Sequence, residues 1–90
     1  MIYEKKYPTV TVKIDKPSDV PILTKLLSSA FPYNDVDIVR GRWVIDAKSI
    51  MGIFSLDLST PVKITIHSEN EEDKIKFLNV IEEFKSMTGE

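Results

Sequence analysis

The ninety-residue sequence has no cysteine, which excludes a disulfide framework, a thiolate zinc site and a thiol nucleophile, and suits a reducing compartment. Histidine occurs once, as His67, and no nucleophile–base pair or cluster of metal-binding side chains stands out anywhere in the chain. The three glycines form no phosphate-cradling loop, so neither a catalytic residue nor a cofactor or metal is expected. Neither sign of charge dominates: 12 basic and 14 acidic residues, mixed along the chain, leave a net charge of -2 and no broad field for nucleic acid or anionic lipid. No apolar run approaches the roughly 20 residues of a membrane span, and Met1-Ile2-Tyr3-Glu4-Lys5-Lys6 lacks the apolar centre of a signal peptide. A soluble cytoplasmic protein is therefore expected, with no membrane partner and no nucleic-acid partner.

What is present suffices for one domain spanning residues 1–90, since 42% apolar and 29% charged residues are ordinary globular values. Val10, Val12 and Ile14 alternate with Thr9, Thr11 and Lys13, the period-2 pattern of a strand with one buried face. Ser18 or Asp19 is placed to cap a helix that has Pro21 in its first turn and Ile22, Leu23, Leu26, Leu27 and Ala30 on one stripe. Val36 and Ile38 begin a hairpin that turns at Arg40-Gly41-Arg42, with Gly41 supplying a positive φ, and returns through Trp43-Val44-Ile45. A short helical segment follows from Ser49, and Val62, Ile64 and Ile66 then alternate with Lys63, Thr65 and His67 as a fourth strand. Ser68-Glu69-Asn70-Glu71 reads as a capping box opening a final helix that buries Ile75, Phe77, Leu78, Ile81 and Phe84. The order β-α-β-β-α-β-α implies an α+β open-faced sandwich: a four-stranded antiparallel sheet with three helices on one face. Thr9, Thr11, Lys13, Lys63, Thr65 and His67 lie on the other, polar face.

The run Asp46-Ala47-Lys48-Ser49-Ile50-Met51-Gly52-Ile53, followed by Ser55-Leu56 and the Val62-Lys63-Ile64-Thr65-Ile66 strand, resembles the regulatory-serine half of the histidine-containing phosphocarrier protein, HPr. The resemblance covers nearly the whole chain and implies the HPr-like open-faced sandwich, a bacterial cytoplasmic setting, and a relation to the phosphoenolpyruvate-dependent sugar phosphotransferase system. HPr proteins carry phosphate on a histidine in a Gly-x-His-x-Arg-Pro segment after the first strand. The stretch here reads Ile14-Asp15-Lys16-Pro17-Ser18-Asp19-Val20-Pro21, and aligning Pro21 with the motif proline puts Ser18 at the histidine and Val20 at the arginine. A phosphoserine ester is too stable for rapid reversible transfer, so Ser18 does not replace the imidazole. Asp19 has no neighbouring metal-binding carboxylates to support an acyl phosphate, and His67 reads as an exposed strand-end residue.

On residues alone, Ser49 is an N-cap whose loss would cost about 1 kcal/mol. The resemblance adds phosphorylation of Ser49 by HPr kinase, with binding to a transcription regulator as its consequence. At a helix start a phosphate gains ~0.3 to 1 kcal/mol from unpaired N–H groups and the helix dipole, and Lys48 would add a nearby cation. Ile50, Met51, Ile53 and Phe54 are too many apolar groups for so short a helix to bury. Ile53 and Leu56 are expected in the core. Lys48, Ile50, Met51 and Phe54 are expected to form the surface that docks protein partners, whether HPr kinase, a regulator or components of the transport system. Asp57 stands where the family commonly has glycine, a position at which a positive φ would be easier for glycine. The expected function is that of a noncatalytic regulatory or adaptor protein. Two alternatives stay open: a binding module that never sees phosphate, and a carrier that uses a non-standard residue.

Overall fold

Alternating apolar residues become strands, and stripes at helical spacing become helices, in the order expected. The computed structural model describes residues 7–89. It contains β1 (Thr9–Val12), α1 (Asp19–Ala30), β2 (Val36–Arg40), β3 (Trp43–Asp46), α2 (Ile50–Phe54), β4 (Val62–Ile66) and α3 (Glu71–Thr88). The segment of residues 1–6, read above for a targeting signal, lies outside the described residues. No described helix is long and apolar enough to cross a membrane.

The four strands form one antiparallel sheet in the order β1-β4-β2-β3. Its inward face carries Val12, Val36, Ile38, Val62, Ile64 and Ile66, all buried, and Ile14 stays buried although β1 ends two residues before it. Against this face pack Val20, Leu23 and Leu27 of α1, Ile53 of α2, and Phe77, Val80, Ile81 and Phe84 of α3. Phe31 meets Phe77 edge-on with ring centroids 6.3 Å apart, and the ammonium of Lys76 lies 5.2 Å above the Phe31 ring. On the opposite face Thr9 and Thr65 share a hydroxyl hydrogen bond of 2.8 Å across the β1–β4 pair. Gly41 has φ 61 at the β2–β3 turn, as the hairpin requires.

Three local expectations are corrected. In α3, Ile75 and Leu78 are 55% and 42% exposed. A helix buries one stripe, and Phe77, Val80, Ile81 and Phe84, at i, i+3, i+4 and i+7, take it with the larger aromatic area. The cap of α3 is Asn70, whose side-chain oxygen accepts from the Glu72 N–H at 2.8 Å. Ser68, two residues upstream, accepts from the Asn70 N–H and donates to Asp73 instead of forming the expected box with Glu71. At α1 neither Ser18 nor Asp19 caps with its side chain. Ser18 already has helical φ and ψ of -65 and -16, which points its hydroxyl away from the capping position. The first N–H groups are met by backbone carbonyls, Asp19 to Lys16 and Val20 to Pro17. Asp19 is buried in the first turn, where its charge suits the helix dipole.

Candidate functional site

The connection from β3 into α2 is held by a chain of short-range bonds. The N–H of Ala47 donates to Val36 O at 2.8 Å, extending the hairpin by one residue before the chain leaves the sheet. The Asp46 side chain accepts from the Lys48 N–H at 2.9 Å, and Asp46 O accepts from the Ser49 N–H at 3.0 Å. These bonds deliver Ser49 in an extended conformation, φ -104 and ψ 105, from which its hydroxyl oxygen accepts the Gly52 N–H at 3.1 Å. Ser49 is thus the N-cap that its sequence setting implies.

Gly52 is required by close approach. A Cβ added there would lie 2.6 Å from Cγ2 of Ile45 on β3 and 3.0 Å from the Ser49 hydroxyl. The absent side chain lets α2 rest on the sheet edge while keeping the cap. Gly52→Ala is expected to destabilise the protein by about 1 to 3 kcal/mol, because the overpacking outweighs the roughly 1 kcal/mol gained from helix propensity. Chemical denaturation of the two proteins checks this.

Seated this way, α2 buries Ile53 completely, as expected, whereas Leu56, expected in the core, is only partly buried and packs against its margin just beyond the end of the short helix. Ile50, Met51 and Phe54 remain 40%, 80% and 45% exposed. They form an apolar surface directly beside the capped serine. Lys48 departs from expectation: its ammonium donates to Asn34 O at 2.6 Å, which anchors the charge at the α1–β2 connection. Asn34 has no sequence signal that would have revealed this role, since the two residues meet only through the fold.

The far end of α2 is also pinned. The guanidinium of Arg40 reaches Asp57, with Nε donating to the carbonyl at 3.2 Å and Nη2 to Oδ2 at 3.3 Å. Among the described residues positive φ is confined to Gly41 and Gly89, so Asp57 does not adopt the left-handed conformation for which glycine would be favoured. Its carboxylate accepts the hydroxyl and N–H of Ser59 at 2.6 and 3.0 Å. These bonds, with a lesser contribution from Arg40, hold its pKa below the ordinary 3.8. A lowered folded-state pKa means that the stabilisation is complete above the ordinary value and is lost as pH falls through the folded one. The thermal midpoint of the wild type is expected to exceed that of Asp57→Asn at neutral pH, with the difference vanishing on strong acidification.

Elsewhere, Ser18 is exposed at the start of α1, and the β1–α1 connection contains no histidine. His67 lies just beyond β4 on the open face and is less isolated than a bare strand-end residue. Its Nε2 bonds Asp37 Oδ2 at 2.5 Å, its N–H donates to Asp35 O, and Tyr7 lies against its ring at 5.0 Å. Asp37 was legible only as a polar position alternating with Val36 and Ile38. Among the described residues no three His, Asp or Glu side chains are grouped to hold a metal ion.

This arrangement of sheet and helices is similar to that of a solved structure. The crystal structure of "HPr-C-His" from Thermoanaerobacter tengcongensis superimposes with a TM-score of 0.68 and 26% sequence identity, covering 91% of this chain and 96% of the other. The protein has an HPr-like fold. Coverage of nearly the full length of both chains makes this HPr-like likeness one of the whole domain and not of a shared motif. No protein-family model and no curated protein matches the sequence.

Proposed function

We propose that this HPr-like protein is a cytoplasmic, noncatalytic adaptor related to the sugar phosphotransferase system, which docks protein partners through α2 and is modified at Ser49. The observation that carries this reading is the juxtaposition of a capped serine with three exposed apolar side chains, Ile50, Met51 and Phe54, on one short helix. A flexible thioether and an aromatic ring fit adaptable, water-excluding contacts with more than one partner. Phosphate on Ser49 would place about two negative charges at the edge of that apolar surface. The first-turn N–H groups that lack intrahelical partners would receive its oxygens. The phosphate oxygens would take over the capping contact that the Ser49 hydroxyl now makes with the Gly52 N–H, so the modification changes the surface more than the fold.

Ser18 is then the position from which the carrier imidazole has been lost, and transfer of phosphate from phosphoenolpyruvate is not part of the function. A second reading, a binding module independent of phosphate, is favoured by one observation: the Lys48 ammonium is engaged by Asn34 O and so is not free to pair with a phosphate. Incubation with ATP and an HPr kinase, followed by mass spectrometry, separates the two. The adaptor reading expects one phosphate on the wild type and none on Ser49→Ala, whereas an unmodified wild type leaves the phosphate-independent module.

A further inference from the structure

The outer strand of the sheet is complementary to itself. In the order β1-β4-β2-β3, β3 is an edge, and it exposes Trp43 and Val44 to 64% and 60%. The hairpin register pairs Arg40 with Trp43, Ile38 with Ile45 and Val39 with Val44. The Ala47 N–H donates to Val36 O. In an antiparallel ladder hydrogen-bonded pairs alternate with non-bonded ones, so Trp43 and Ile45 turn their N–H and C=O groups toward β2, while Val44 and Asp46 turn theirs away from the sheet. An outer strand with outward-facing amides and an apolar centre is a template for another strand unless something blunts it. β3 contains neither proline nor lysine.

We infer that β3 pairs antiparallel with β3 of a second copy of this chain, about a two-fold axis at Val44. This goes beyond the adaptor reading and does not depend on it. In that register Val44 meets its own counterpart and the two exchange N–H···O=C bonds. Trp43 lies opposite Ile45 of the second copy, and Arg42 lies opposite the second copy's Asp46, with the same contacts repeated by symmetry. The charges are complementary in a way that a random edge is not. Arg42 has no ion-pair partner among the described residues. One oxygen of Asp46 is held by the Lys48 N–H, which orients the carboxylate and leaves the second oxygen open. By strand alternation Val44 and Asp46 share the open face of the sheet, and Trp43 and Ile45 share the helix side, with Arg42 in the turn immediately before β3. The product is a continuous antiparallel sheet with both helical layers, and hence both α2 surfaces, on the same side.

Analytical ultracentrifugation over a concentration series of the full chain tests this. The expected result is a reversible monomer–dimer equilibrium populated at high concentration, as suits an interface at the small end of the size range. Arg42→Asp, in an exposed turn, turns two attractions into two repulsions and is expected to weaken dimerisation by about tenfold or more. Val44→Pro removes the central outward N–H, which an edge strand tolerates without loss of fold, and is expected to abolish association. Mixing Arg42→Asp chains with Asp46→Arg chains restores opposite charges across the pairing and is expected to recover dimers. Far-UV circular dichroism of each variant separates lost pairing from lost fold. A wild type that stays monomeric throughout, or dimers indifferent to both Arg42→Asp and Val44→Pro, would overturn the inference.

Discussion

Phe77→Ala is expected to remove most of the stability of the fold. Phe77 is fully buried, opens the inward stripe of α3, and supplies the edge contact to Phe31 that ties α3 to the end of α1. Truncating a buried phenylalanine costs about 3 to 5 kcal/mol, the lost transfer energy adding to the cavity left behind. A chain of this length has about 5 to 10 kcal/mol in total, so the variant is expected to melt more than about 12 °C lower. The neighbouring Leu78→Ala serves as the control. With Leu78 at 42% exposure, its truncation is expected to cost less than about 1 kcal/mol. Thermal and urea denaturation of the two variants would distinguish the observed stripe of α3 from one in which Ile75 and Leu78 face the core.

The second large effect concerns function and leaves stability nearly untouched. Met51 is 80% exposed, so Met51→Asp removes little packing and is expected to change stability by less than about 0.5 kcal/mol. A charge in the centre of an apolar docking surface must be desolvated on binding, and such a change at a central contact typically costs 2 kcal/mol or more. The kcat/KM of an HPr kinase acting on the protein is accordingly expected to fall by about 30-fold or more. Ser49→Ala, in contrast, is expected to lose about 1 kcal/mol of stability with the cap and to abolish modification while leaving phosphate-independent docking intact. An unchanged kcat/KM for Met51→Asp would mean that the kinase reads some other face.

Much of this was legible in the sequence because it rests on local rules. Strict alternation in β1 and β4, the glycine turn of the hairpin, and a serine ahead of a short apolar run each constrain only a few neighbouring residues. The inward stripe of α3 was misread because the sequence offers more apolar residues there than one helical face can bury, and only packing against Phe31 and the sheet decides among them. Its cap was misread for a similar reason: Ser68 and Asn70 are both good capping residues, and the winner depends on where the chain leaves β4. Lys48 and Asn34, like His67 and Asp37, meet only through tertiary structure. Trp43-Val44-Ile45 read as an ordinary apolar strand, whereas the sheet order puts it at the edge with two of its three side chains mostly exposed. Sheet order is set by long-range pairing that no short window encodes.

The sites differ in what they ask of the chain. Gly52 and the Ser49 cap give up a side chain and a hydroxyl to seat α2 on Ile45, and that seating holds Ile50, Met51 and Phe54 clear of the core. The exposure of these three side chains is therefore a consequence of local geometry, not of a loosely packed helix.

The most direct test is to map the proposed docking face. Amide chemical shifts of isotopically labelled protein, recorded while an HPr kinase is added without ATP, report which residues enter the contact. The expected perturbations centre on Ser49, Ile50, Met51 and Phe54, with the amides near Ser18 and His67 little changed. Perturbations confined to the β1–α1 connection or the open face of the sheet, with α2 unmoved, would contradict the assignment of α2 as the working surface.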